Sequence, residues 1–185
     1  LQGALERYLR VLKNDRAYPA AHLKLAQIYP LRGGRPEALY NANCELAQPA
    51  HEEQTLLELG NLLMDLGQLG SAEVAFGRVL SVNPRSAGAR HNLAVTLLMA
   101  GRTDEGIEHA KQALKIQPKY MLAMHNLTLA YLTKRDFTRA RFWLGEALDI
   151  APDDPQLRQL RARGRMARLM AAARAWPRRL RRRAR

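Results

Sequence analysis

Leucine and small residues recur along the chain at a fixed interval of 34 residues. The same interval separates Pro84 from Pro118 and Pro118 from Pro152, since 118 − 84 = 34 and 152 − 118 = 34. A period of this length indicates a repeat architecture, in which each unit buries its faces against its neighbours. The aligned columns are Leu25, Leu59, Leu93 and Leu127; Leu12, Leu46, Leu80, Leu114 and Leu148; Ala4, Ala38, Ala72, Gly106 and Ala140; and Gly33, Gly67 and Gly101, a column broken by Arg135.

Each period contains two apolar patterns at helical spacing, with a glycine between them. In the clearest copy Gly101 separates the two helices, and Pro118 ends the second because proline lacks an N–H and clashes with the preceding turn. The apolar positions of this copy are Leu93, Leu97 and Leu98, then Ile107, Ala110, Ala113 and Leu114. We expect the small column to let the helices of a pair approach closely, and the leucine columns to fill the space between pairs.

These features resemble the tetratricopeptide repeat (TPR), a helix–turn–helix unit of about 34 residues. The matching residues are Gly60, Ala72, Phe76 and Pro84; Ala94, Ala113 and Pro118; and Tyr131, Ala140, Ala147 and Pro152. The resemblance covers roughly residues 1–154 and implies an all-α, right-handed solenoid of a half repeat, four helix–turn–helix repeats and a C-terminal capping helix. It also implies a role in holding partners together rather than in catalysis.

The repeat phase predicts the domain boundaries. We expect a solenoid over 1–152, made of the second helix of a truncated repeat (1–18) and repeats at 19–52, 53–86, 87–120 and 121–154, followed by a capping helix at 153–176 and an Arg-rich tail at 177–185. Because the chain begins at Leu1, already inside a helix, we expect it to be a fragment of a longer protein.

Repeat 19–52 is the weakest copy of the pattern. Pro30 falls where its first helix should still run, so we expect that helix to end early. Pro36 suits the first turn of the next helix. Glu45 occupies a column that is apolar in the other copies, and we expect it either at a solvated edge or paired with a basic neighbour.

Beyond Pro152 the apolar positions leave the repeat phase. The core columns would hold Arg158, Arg161 and Arg165, which is not a buried face. The apolar set is instead Leu157, Leu160, Gly164, Ala167 and one of Met170 and Ala171. This spacing predicts a capping helix that buries one face on the last repeat and ends near Trp176, before Pro177.

The net charge of +13 is concentrated at the C-terminal end. Residues 1–154 contain 18 basic and 17 acidic side chains, whereas residues 155–185 contain 12 arginines and no acidic residue. The candidate polyanion-binding residues are Arg174, Arg178, Arg179, Arg181, Arg182 and Arg183. Three interpretations stay open: binding to nucleic-acid phosphates, attachment to an anionic membrane surface, or a solvated end without a partner.

The candidate partner-binding groove consists of polar positions on the predicted first helices. These positions are Lys24, Gln27, Glu58, Asn61, His91, Asn92, His125 and Asn126. The repeated His-Asn-Leu of 91–93 and 125–127 is similar to the asparagine rungs in the TPR superhelix of O-linked N-acetylglucosamine transferases, where stacked amides hold an extended peptide backbone. An amide can pair with a main chain because it both donates and accepts hydrogen bonds. Lys24 and Glu58 interrupt this ladder, so contact with a peptide and a merely structural role for the asparagines both stay open.

No catalytic, metal-binding or cofactor motif is present. We find no nucleophile–base motif and no phosphate-binding glycine loop, and His91 and His125 have no thiol or carboxylate beside them. We therefore predict a cytoplasmic, non-enzymatic scaffold that binds a protein or peptide in its groove without a cofactor. The alternatives are an adaptor attached to nucleic acid or membrane by its tail, a substrate-selecting segment of a larger enzyme, and self-association. The lone Cys44 fits a reducing compartment, and the excess of Ala and of Arg over Lys is typical of a GC-rich bacterial source.

Overall fold

The computed structural model describes residues 2–16, 18–49 and 52–168, and these ranges form an all-α array of paired helices. The helices are α1 (Gln2–Asn14), α2 (Ala21–Ile28), α3 (Arg35–Leu46), α4 (Glu53–Asp65), α5 (Leu69–Val82), α6 (Ala87–Met99), α7 (Thr103–Ile116), α8 (Met121–Thr133), α9 (Phe137–Ile150) and α10, whose described part covers 155–168. Tight turns join α2 to α3, α4 to α5, α6 to α7 and α8 to α9, and each pair packs on the next. The predicted all-α solenoid of helix–turn–helix repeats is confirmed.

The turn inside each pair has the same backbone geometry from one repeat to the next. Gly33, Gly67 and Gly101 have left-handed φ values of 76°, 75° and 78°. The N–H that follows each of these glycines donates to the carbonyl five residues before it, as from Gln68 to Leu63 at 2.8 Å. This bond defines a Schellman helix end, which glycine adopts without steric cost. The glycine column therefore exists because each first helix must stop in a left-handed residue.

Arg135 occupies the fourth of these turns and has the same left-handed backbone, with φ of 59°. The N–H of Asp136 donates to the carbonyl of Tyr131 at 2.9 Å, so the Schellman bond forms here as well. A side chain in this region of backbone space is strained by contact between its Cβ and the carbonyl oxygen. The geometry of the turn is kept at this position although the glycine is lost.

Small residues let the two helices of a pair pack closely. Ala38 and Ala72 are fully buried, and Ala140 is almost so. At Gly106 a β-carbon would lie 2.8 Å from Cγ of Leu98 and 3.0 Å from the carbonyl oxygen of Ala94. Such distances are shorter than van der Waals contact, so the helices meet here only because residue 106 lacks a side chain.

The first pair departs from the others where the sequence contains proline. α2 ends at Ile28, and a 3-10 turn at Tyr29–Arg32 includes Pro30. α3 then begins at Arg35 with Pro36 in its first turn, where no intrahelical N–H is required. The first helix of this repeat therefore ends early, as Pro30 predicts.

Glu45 is deeply buried, with 1% of its surface exposed, so the interpretation as a solvated edge was wrong. Its Oε2 accepts a hydrogen bond from the backbone N–H of Leu23 at 3.0 Å. Leu23 lies in the first turn of α2, where backbone N–H groups have no intrahelical acceptor. The carboxylate of α3 thus serves as an acceptor for the beginning of α2, which explains a charged residue in an apolar column.

Arginine side chains link consecutive repeats by donating to backbone carbonyls at helix ends. Arg35 donates to the carbonyl of Leu66 at 2.6 Å. Arg78 on α5 donates to the carbonyls of Leu46, Gln48 and Pro49 at 2.8–2.9 Å. The last carbonyls of a helix lack intrahelical donors, so these guanidinium groups satisfy them and fix the angle between neighbouring pairs.

α10 packs on the last repeat with the face that the sequence predicts. Asp154 accepts the N–H of Leu157 at 2.9 Å and so caps the helix, while Leu157 and Leu160 are 2% and 5% exposed. Leu160 continues the column of Asn126 and yet is buried, so α10 is rolled about its axis relative to the other first helices. Residues 169–176 of the predicted cap and the tail 177–185 lie outside the described residues.

None of the helices in the described ranges combines the length and the apolarity that crossing a lipid bilayer requires.

Candidate functional site

The first helices α2, α4, α6 and α8 lie side by side, and polar side chains bridge each neighbouring pair. Between α2 and α4, Lys24 Nζ donates to Glu58 Oε2 at 3.2 Å, and Gln27 Nε2 donates to the same oxygen at 3.2 Å. Hydrogen bonds from Gln54, Gln27 and Lys24 lower the pKa of the Glu58 carboxyl, which therefore stays ionised at neutral pH. The bridge presents a partly exposed, charged pair at the N-terminal end of the row.

Between α4 and α6 the bridge is a pair of amides. Asn92 Nδ2 donates to Asn61 Oδ1 at 3.0 Å. Asn61 is exposed and Asn92 is half-buried. An amide has two N–H donors and two acceptor lone pairs, so a single bond leaves most of the capacity of each side chain for a ligand.

Between α6 and α8 the bridge joins Asn126 to His91. Asn126 Nδ2 lies 3.4 Å from His91 Nδ1. The His91 imidazole is only 9% exposed and packs against the ring of Tyr120, with 5.0 Å between the ring centroids. Burial, and then the nearby His125, lower the pKa of His91 below its ordinary value. The imidazole is therefore neutral at physiological pH, and its Nδ1 can accept from the amide.

Seven of the eight predicted groove residues take part in these bridges, and the eighth, His125, precedes Asn126 on α8. We call the eight together the first-helix row: Lys24, Gln27, Glu58, Asn61, His91, Asn92, His125 and Asn126. The two repeated asparagines do not bond to each other, since Asn92 pairs with Asn61 and Asn126 with His91. Lys24 and Glu58, which interrupt the asparagine ladder in the sequence, form a bridge of their own.

The row becomes apolar toward its C-terminal end. Val95 and Leu129 replace Gln27 and Asn61 in the same column and are half-buried. Met99 and Leu122, on the same two helices, are 56% and 51% exposed. The sequence column of Gln27 and Asn61 continues to Val95 and Leu129, whereas the repeat columns do not mark Met99, Leu122 or Tyr120.

The remaining candidate sites are a metal site and the Arg-rich tail. Within 2–16, 18–49 and 52–168, no group of three or more His, Cys, Asp or Glu side chains is arranged to hold a metal ion. The tail residues proposed for polyanion binding lie outside the described residues: Arg174, Arg178, Arg179, Arg181, Arg182 and Arg183.

Two family models, both described as tetratricopeptide repeat, match residues 57–121 and 97–164, and together they span 57–164. The chain belongs to the tetratricopeptide repeat family. The resemblance drawn from the repeat columns is therefore confirmed.

Among known proteins, the chain is similar to the small glutamine-rich tetratricopeptide repeat-containing protein 2 of Mycosarcoma maydis, with 30% identity over 110 residues. The match covers 60% of this chain and 31% of the length of that relative. The solved structure of YrrB, described as a TPR protein with an unusual peptide-binding site, superposes with a TM-score of 0.74 at 22% identity, over 87% of this chain and 83% of YrrB. The first TPR of Spaghetti (RPAP3), bound to the HSP90 peptide SRMEEVD, gives 0.59 at 15% identity, over 65% and 93% of the two chains. At these identities the structural likeness shows the fold.

Proposed function

We propose that this chain is a protein-interaction module that binds an extended peptide segment of a partner along the first-helix row. The observation that carries the proposal is the set of three polar bridges on α2, α4, α6 and α8, each of which includes at least one polar side chain that is exposed or half-buried. Side chains that donate and accept at regular intervals match the needs of an extended main chain, which has unpaired N–H and C=O groups along its length.

The chemistry of the row also indicates which peptide fits. Its N-terminal half offers the charged pair of Lys24 and Glu58, whereas its C-terminal half offers apolar contacts at Leu122 and Leu129. The preferred segment therefore has polar side chains at one end and two or three aliphatic or aromatic side chains at the other. The latter contribute most of the affinity because they remove apolar surface from water.

The descriptions of two structural relatives agree with this mode. YrrB is described by its peptide-binding site, and the TPR of Spaghetti (RPAP3) was solved with a peptide bound. Those peptides belong to YrrB and Spaghetti, and the sequence that this chain binds depends on its own groove side chains.

The test is a selection of random peptides displayed on phage against the intact chain, followed by affinity measurements on the enriched sequences by fluorescence anisotropy. We expect Asn92→Ala with Asn126→Ala to weaken binding about tenfold, because each lost hydrogen bond is worth about 0.5–1.5 kcal/mol. The matched control is Asn43→Ala with Gln159→Ala, two exposed amides outside the row. Enriched peptides that bind the groove variant and the control with equal affinity would eliminate the proposal, provided that both variants melt like the parent chain.

A further inference from the structure

A cleft of about 500 Å³ opens between α9 and α10, away from the first-helix row. Its floor is apolar and is formed mainly by Leu132, Leu144, Leu148 and Leu160. The α9 side runs from Phe137 to Leu148, three turns of helix, and both Gly145 and Gly164 leave room for a close approach. The shape is a trough between two helices, which is the geometry that binds a third helix.

The rim of this cleft is strongly basic. Arg141 on α9 and Arg161, Arg165 and Arg168 on α10 line it, against the one carboxylate of Asp149. All four guanidinium groups are exposed, and within residues 2–16, 18–49 and 52–168 none of them forms an ion pair. An adjoining hollow shares Arg141 and Arg168 and is also lined by Arg135, by Asp136 and by Lys134, which pairs with Asp104.

The position of these arginines in the fold indicates what can cover them. In the preceding pair, the columns of Arg161 and Arg165 hold Leu127 and Tyr131, which are buried in the apolar cluster that α8 shares with α9. A second helix of the ordinary apolar kind, packed on α10, would bury two unpaired guanidinium groups at a large desolvation cost. A helix that fits this cleft must therefore carry carboxylates beside its apolar face.

We propose that the α9–α10 cleft is a docking site for an acidic amphipathic helix of a partner protein. A helix of about 12 residues spans the roughly 17 Å from Phe137 to Leu148. Its aliphatic side chains cover Leu144, Leu148 and Leu160, and its Glu and Asp side chains pair with the rim arginines, for which bidentate contact is favourable.

Two other occupants fit the cleft less well. A nucleic acid would neutralise the arginines but would leave the apolar floor exposed to water. The segment that follows in this chain, residues 169–185, contains seven arginines and no acidic residue, so it has the same sign of charge as the rim. Charge complementarity selects an acidic partner instead.

The binding test uses the full chain and a fluorescein-labelled, N-acetylated peptide of about 15 residues, with leucines on one helical face and glutamates on both flanks. We expect saturable binding in an anisotropy titration, and loss of that binding in Gly145→Phe. A β-carbon on residue 145 meets no heavy atom within 4 Å, so the phenyl ring extends into the cleft and fills it without disturbing α9. Gly145→Ala is the matched control and should bind as the parent chain does.

The charge test reverses two arginines of the rim. Arg161→Glu with Arg165→Glu should weaken the peptide by at least about tenfold, and the loss should shrink as salt is raised. Arg7→Glu with Arg10→Glu makes the same change of net charge on exposed positions of α1, at the other end of the array, and should leave the affinity unchanged. Helix content and melting temperature are recorded for every variant.

Several results would overturn the proposal. They are the absence of binding to the parent chain, equal binding of a peptide with lysine in place of glutamate, and affinity that is unchanged in both Gly145→Phe and the Arg161/Arg165 reversal. Displacement of the labelled peptide by a duplex oligonucleotide, or by a synthetic peptide of residues 169–185, would assign the cleft to a nucleic acid or to the chain's own end.

Discussion

The ring of Phe76 occupies the space that a β-carbon on Gly60 would need, since Cε1 and Cζ of Phe76 would lie 2.5 and 2.6 Å from it. Phe76 is fully buried and belongs to the same cluster as Leu59 and Leu63. The glycine of α4 and the aromatic residue of α5 are therefore one packing unit. The two positions of the repeat pattern are paired because the ring of one helix lies directly on the backbone of the other.

Gly60→Ala should therefore destabilise the chain by about 1–3 kcal/mol, because the added methyl group over-packs the Phe76 contact. Gly77→Ala is the control: residue 77 lies in the middle of α5, and a β-carbon there meets nothing within 4 Å. That control should stabilise the chain by about 0.5–1 kcal/mol, because alanine loses less backbone entropy in a helix. Denaturant unfolding of both variants gives the comparison, and equal stabilities would show that the Gly60–Phe76 contact is not close.

Arg135→Gly should raise the stability by about 1 kcal/mol, because the left-handed turn is strained for arginine and unstrained for glycine. The reverse change at the equivalent turn, Gly101→Arg, should lower it by a similar amount. Melting curves of the two variants should shift in opposite directions. A lower melting temperature for Arg135→Gly would mean that the Arg135 side chain makes a compensating contact.

The sequence predicts the helix pairs well because their spacing depends on local rules that recur in every repeat. The glycine column marks the turns, and the small column marks the close helix contact at Gly106. Asn92 and Asn126 occupy the same repeat position, directly before Leu93 and Leu127, so the sequence predicts that they lie on the same face of α6 and α8.

The features that the sequence does not predict depend on contacts between different helices. The sequence alone suggests that Glu45 is an exposed charge, because it does not show that the N–H of Leu23 donates to the Glu45 carboxylate. The sequence pattern places His91 among the groove-lining side chains, whereas in the structure it is buried and packs against the ring of Tyr120, from the turn after α7. The α9–α10 cleft arises because α10 is rolled out of the repeat phase, and the column of Asn126 continues to the buried Leu160. The repeat columns therefore do not predict the orientation of α10 or the cleft beside it.

Leu93→Ala tests the coupling between repeats. Leu93 is 6% exposed and belongs to the cluster that α4 and α5 form with α6, so its truncation should cost about 2–5 kcal/mol. Because each repeat is stabilised by its neighbours, amide hydrogen exchange should accelerate in α4 and α5 as well as in α6. The control is Val82→Ala, whose side chain is 73% exposed and should change stability by less than about 0.5 kcal/mol. An unshifted, fully cooperative melt of Leu93→Ala would contradict the packing described here.

The stability of the fold should fall as the pH drops below about 6.5, the ordinary pKa of histidine. Burial, and then His125, lower the pKa of His91 in the folded chain, so between the unfolded and folded values only the unfolded chain takes up the proton. Stability is therefore fully present above the unfolded pKa and is lost progressively as the pH falls toward the folded one. Protonation would also remove the acceptor at Nδ1 and break the bridge from Asn126.

His109 contributes with the same sign, because burial and then Arg90 lower its pKa as well. The two contributions are separated by melting His91→Gln and His109→Gln between about pH 7.5 and 5.5, a window chosen because carboxylates are still ionised there. Each variant should lose part of the pH slope of the parent chain, and peptide binding on the first-helix row should become less sensitive to pH only in His91→Gln. If that variant keeps the full slope and the full pH dependence of binding, His91 is not the group that titrates, and the Asn126 bridge does not depend on its neutral form.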